Sequence, residues 1–172
     1  MIPLMAMLFR VEGWAWSVAD FVVSWILIAG FVLAYRLVSA RATSWAYRFA
    51  TGIGLTTGLL LIWINGAVGL IGSEDNPANV LYAGVLGVGV IGAVIGRLEP
   101  RGLEKTLYAM AIAQLAVPVL AVAFWPEDFS PGIVPVFALN LFFALVFAGA
   151  GWLFRLAGRD GEGRRKDGEA VV

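Results

Sequence analysis

Asp20, Asn65, Gln114 and Asn140 stand as isolated polar side chains inside otherwise apolar stretches of this 172-residue chain. A polar group in such a setting costs free energy unless it finds a partner. Each is therefore a candidate for contact with a ligand, or for hydrogen bonding between helices. A second concentration is the run Gly72-Ser73-Glu74-Asp75-Asn76-Pro77-Ala78-Asn79. The carboxylates of Glu74 and Asp75, with the amide oxygens of Asn76 and Asn79, suit a hard cation such as Ca²⁺, although the spacing matches no known calcium loop. Asn76-Pro77 reads equally well as a turn starter and Asn79 as a helix cap. The chain has neither His nor Cys. That removes the commonest general base, the usual zinc and haem ligands, disulfides and a cysteine nucleophile. No paired spacing sets two carboxylates around a reacting bond, so the sequence points to no enzyme, no metal centre and no cofactor.

The elements that must position these residues follow from composition. The chain is 60% hydrophobic and 14% charged, with a mean hydropathy of +0.87, whereas soluble domains run at about 45–50% apolar and about 25% charged. One soluble core could not hide so much apolar surface. A membrane helix needs about 20 apolar residues, and five segments supply them: Trp16–Val38, Arg48–Ile71, Asn79–Arg97, Leu103–Trp125 and Gly132–Leu156. None alternates as a barrel strand would, and backbone groups in lipid must be paired within each segment. The expected fold is all-α, a polytopic transmembrane helical bundle forming a single domain over residues 1–157. Five full spans are preceded by a short apolar segment, Met1–Phe9, too short to cross, and followed by a Gly- and charge-rich tail, 158–172, expected to be disordered and cytoplasmic. The net charge of zero leaves no basic field for nucleic acid; the lipid bilayer is the expected partner.

Orientation follows from the basic residues. Eleven of the twelve, from Arg36, Arg41 and Arg48 to Arg164, Arg165 and Lys166, fall on one side of the spans and only Arg10 on the other. The positive-inside rule makes the richer side cytoplasmic, with the C-terminus there, and places Glu74, Asp75, Glu127 and Asp128 outside. Asp20, Asn65 and Asn140 then lie in the outer half, and Gln114 near the middle of its span, four residues before Pro118. A polar pocket open to the outside is one expectation; interhelical hydrogen bonding and, for Asp20, a hydrated place near a helix N-terminus are the plainer readings. Small residues form one stripe on the second span (Gly54, Gly58, Gly69, Gly72, with Asn65) and another on the third (Gly89, Gly92, Gly96, with Tyr82). These predict that the second and third spans pack on each other; a homodimer face is the alternative.

The run Trp63-Ile64-Asn65-Gly66-Ala67-Val68-Gly69-Leu70-Ile71-Gly72-Ser73-Glu74-Asp75-Asn76-Pro77-Ala78-Asn79, followed by Tyr82, resembles a family of uncharacterised bacterial multi-pass membrane proteins, as does the upstream helix with Trp16, Asp20 and Phe21. The resemblance covers roughly residues 10–125. It implies five to six helices in a bacterial cytoplasmic membrane, with Met1–Phe9 matching the end of a further helix, and directs attention to Trp63, Asn65, Glu74, Asn76, Pro77, Asn79 and Tyr82. It implies no activity. The expected function is binding or transport of a small ligand or ion through the outer polar pocket. The alternative is an accessory or structural subunit that packs through its Gly-rich faces against another membrane protein; a homo-oligomer is the other candidate partner.

Overall fold

The computed structural model describes residues 17–42, 44–126 and 131–169, with side chains described as far as Gly161. Helix α1 (Val18–Ser39) opens on a reciprocal cap: the Ser17 hydroxyl accepts from the Asp20 amide, while the Asp20 carboxylate accepts from Ser17 N at 2.7 Å and Oγ at 2.8 Å. Ser44 caps α2 (Trp45–Ala67) through the Tyr47 amide. A 3₁₀ turn, Pro77–Val80, capped by Asn76, feeds α3 (Leu81–Ile95). Pro100 begins α4 (Pro100–Phe124), where its missing N–H is no loss. The last helix is α5 (Ile133–Glu169).

Among the described residues, five helical segments are long and apolar enough to cross a membrane: Val18–Ser39, Trp45–Ala67, Pro77–Ile95, Pro100–Phe124 and Ile133–Gly161. No strand occurs among the described residues. The described residues form an all-α, multi-pass membrane bundle, and the five helices among them are the five expected. Met1–Phe9, Arg10, Trp16, Glu127 and Asp128 lie outside the described residues.

Two boundaries differ most from expectation. The second span ends at Ala67 rather than Ile71, because the chain leaves the helix at Val68 and turns through Gly69 (φ +76°) and Gly72 (φ +69°). A Cβ on Gly69 would collide with the Ser73 carbonyl as well as strain the backbone. At the other end, α5 runs on through 158–169, where a disordered tail was expected. No proline stops it, and acids and bases stand four apart in the sequence, as in Asp160 and Arg164, a spacing that supports a helix.

The packing corrects the glycine reading. Helices α2 and α3 are consecutive yet touch only slightly; α3 lies instead on α4, and α4 and α5 form the most extensive contact. The stripe Gly89, Gly92, Gly96 faces Met110, Thr106 and Gly102 of α4. A Cβ on Gly96 would come within 2.8 Å of the Gly102 Cα. The backbones meet there because both sides are glycine, a match that α2 does not offer: its Gly54 and Gly58 sit against the side chains of Leu107 and Leu86. Helix α5 also packs on α2, with Tyr47 edge-on to Phe154 at 4.9 Å. Helix α1 packs on α2 and has no buried residue.

At the end where Arg36, Arg41, Arg48, Arg97 and Arg101 gather, the α3–α4 turn takes left-handed φ at Arg97 (51°) and Leu98 (57°). Its carbonyls are held from α1–α2: Tyr47 Oη donates to Leu98 O at 2.6 Å and Arg41 Nη1 to Arg97 O at 3.1 Å. We call this the basic end. The opposite end carries Glu74 and Asp75.

Candidate functional site

The fully buried Gln114 and Asn140, with Tyr82 beside them, form one polar network between α3, α4 and α5. Asn140 Oδ1 accepts from Gln114 Nε2 at 3.0 Å. Asn140 Nδ2 donates to Tyr82 Oη at 3.0 Å and to its own helix at Val136 O, 2.8 Å. The Tyr82 hydroxyl in turn donates to Asn140 Oδ1 at 3.2 Å. Every polar atom of Asn140 is thus used. Gln114 is less complete: its Oε1 is buried with no partner among the described residues. Pro118, four residues on, has no N–H to give the Gln114 carbonyl, so that turn of α4 also lacks one helix bond.

A second cluster organises the acidic end. Asn79 Oδ1 accepts from the Leu70 and Ile71 amides at 3.2 and 3.1 Å, and its Nδ2 donates to Ile71 O at 3.2 Å and Ser73 O at 2.7 Å. Asn76 Oδ1 accepts from the Ala78 amide at 2.9 Å. Asn65 Nδ2 donates to Asn79 O at 3.3 Å, tying the end of α2 to the start of α3. The Asn65 Oδ1 is buried and has no described partner.

Because α2 and α3 diverge, a wedge opens between them. It is a cavity of ≈ 470 Å³ lined by α2 (Leu61, Ile62, Asn65, Gly66), the turn (Glu74, Asn76, Pro77, Asn79) and α3 (Val80, Tyr82, Ala83, Leu86). Six of the residues singled out from sequence border it: Asn65, Glu74, Asn76, Pro77, Asn79 and Tyr82. Gln114 and Asn140 stand behind it, joined through the Tyr82 hydroxyl. Asp20 is not among them; it is exposed and caps α1 with Ser17. Asp75 is exposed and does not line the cavity. No group of three or more His, Cys, Asp or Glu side chains placed to hold a metal occurs among the described residues, and the Asn76 and Asn79 amide oxygens are already engaged by backbone amides.

In chemical terms the wall offers acceptors. Glu74 supplies a carboxylate, against an apolar floor of Leu61, Ile62 and Leu86; Asn65 also lines the cavity, but its amide oxygen is buried with no described partner. A buried polar atom left unpaired costs about 1–3 kcal/mol, so the natural complement is a hydrogen-bond donor. Sequence reasoning gave the polar members and their depths. It missed the apolar wall and the Val136 carbonyl, which carry no distinguishing residue type. It also could not see that Tyr82 links cavity and network, since spacing sets depth and not facing. Comparison with protein-family models, curated proteins and solved structures finds no match for this chain.

Proposed function

We propose that this chain binds, and in an oligomer passes, a small hydrogen-bond-donating ligand or cation through the wedge between α2 and α3. The observation that carries the reading is the convergence of Asn65, Glu74, Asn76, Asn79 and Tyr82 on one cavity. The protein resides in a bacterial cytoplasmic membrane with its basic end and C-terminus inside, so the wedge opens outward. The crowding of arginine at one end supports that orientation.

The test is melting of the detergent-purified protein against a panel of ammonium compounds, alkali cations and divalent cations. A ligand at about 100 times its Kd stabilises by about 2.7 kcal/mol. One class should raise the melting temperature, and Asn65→Ala and Glu74→Gln should each abolish the gain. Indifference to the whole panel sinks the reading.

A second reading, an accessory subunit, draws support from α1, whose residues are all unburied. It cannot rest on the α3 glycine stripe, which α4 already covers. Gentle solubilisation and mass spectrometry that recover only a monomer would remove it.

A further inference from the structure

A groove of ≈ 670 Å³ runs along the other side of α2, away from the wedge. Its walls are Tyr35 of α1, a strip of α2 from Trp45 to Leu60, and Phe142, Phe143 and Val146 of α5. Trp45, Phe49, Thr56, Leu60 and Phe142 remain exposed, so the groove is open along its length. Apart from Arg48 the lining is apolar or weakly polar, and the Thr57 hydroxyl is already bonded to its own helix at Ile53 O, 2.7 Å.

We propose that this groove holds one anionic phospholipid of the basic-end leaflet, its acyl chain along Gly52, Ile53 and Leu60 and its phosphate at Arg48. Three features argue for that occupant. The first is dimension. From Trp45 to Leu60 the α2 wall rises about 22 Å at about 1.5 Å per residue, which is enough for a headgroup and one chain in half of a hydrocarbon core about 30 Å thick. The second is polarity: the one ionisable lining residue besides Tyr35 sits at the membrane-surface end, where a phosphate would lie, and the deep end is Leu60 and Phe142. The third is availability. No described side chain pairs with the Arg48 guanidinium, whereas Arg155 reaches Glu104 at 3.8 Å and Arg41 is committed to the Arg97 carbonyl. Trp45 beside Arg48 supplies the amphipathic ring common at that depth. Gly52 shapes the floor: a Cβ there would already touch Tyr35 at 3.8 Å, so a larger side chain would fill the groove.

The experiment is native mass spectrometry of the full chain released from detergent, titrated with phosphatidylglycerol or with phosphatidylcholine of the same chains. The parent should retain one phosphatidylglycerol in preference to phosphatidylcholine. Arg48→Gln should weaken that binding about fivefold, the scale of one basic residue at an anionic membrane surface, and Arg48→Lys should largely restore it. Gly52→Leu should abolish retention of either lipid while leaving the melting temperature of the lipid-free protein within a few degrees. Equal retention across all four proteins, the mark of undifferentiated annular lipid, would overturn the proposal. So would a dimer in the parent that Gly52→Leu dissociates, since the occupant would then be a second copy. Neither result bears on the wedge between α2 and α3, whose lining residues are unaltered.

Discussion

Asn79 shows how much one amide can organise. Its oxygen takes two backbone amides and its nitrogen serves two carbonyls of the 68–76 turn. No other side chain has the length and the paired donor and acceptor to replace it: Asp lacks the donors and Leu lacks everything polar. Asn79→Ala should therefore free the turn, with faster hydrogen exchange over residues 68–78 and a loss of about 2 kcal/mol or more, since the backbone groups left behind are partly buried. Unchanged exchange there would mean that the glycines alone hold the turn. The Tyr82–Asn140–Gln114 network invites a different measurement. Hydrogen bonds between membrane helices average about 0.6 kcal/mol and reach about 1.7, so single deletions are hard to read. A double-mutant cycle of Tyr82→Phe with Asn140→Leu should give a coupling in that range, and additivity within error would show that the two merely adjoin. These residues were visible in the sequence because each is polar in an apolar run. Which of them meet was not, because Tyr82 and Asn140 are 58 positions apart and only the folded bundle sets their facing.

At the scale of the helices, spans were legible while caps and neighbours were not. Twenty-residue apolar runs name the five spans, but Ser17 and Ser44 cap the first two and Asn76, not Asn79, caps the turn into the third. The glycine stripes on the second and third spans looked like two halves of one contact, yet the α3 stripe was claimed by α4. The decisive residue was Gly102, which lies just inside α4 and lets the backbones close at Gly96. A lone glycine two residues after Pro100 gives no hint of that role. The difference is testable within α3 itself. Gly92→Ala would push a methyl to 2.6 Å from the Thr106 side chain, whereas a methyl at Gly84 would meet nothing within 4 Å. Denaturant unfolding in mixed micelles should show Gly92→Ala destabilised by about 1–3 kcal/mol, the cost of overpacking. Gly84→Ala should be neutral or gain up to about 1 kcal/mol from helix propensity. Equal effects at both sites would argue that α3 does not lean on α4 through its glycines.

For the molecule as a whole, two polar devices sit at opposite ends of an apolar bundle, and their meaning depends on which end faces in. Arg41 and Tyr47 fasten the α3–α4 turn at the basic end, while the Asn79 turn and the wedge lie at the acidic one. If the basic end is cytoplasmic, the wedge samples the outside and the Arg48 groove the inner leaflet; if not, both assignments reverse together. The chain offers a clean probe because it has no cysteine of its own. Asp75→Cys and Arg159→Cys replace exposed charges at the two ends, so neither should disturb packing. A membrane-impermeant maleimide added to intact spheroplasts should label Asp75→Cys at once and Arg159→Cys only after the membrane is opened. The reverse pattern would turn the wedge toward the cytoplasm and leave the positive-inside argument without a case in this protein. Labelling of both from outside would show that α5 does not end where its arginines place it.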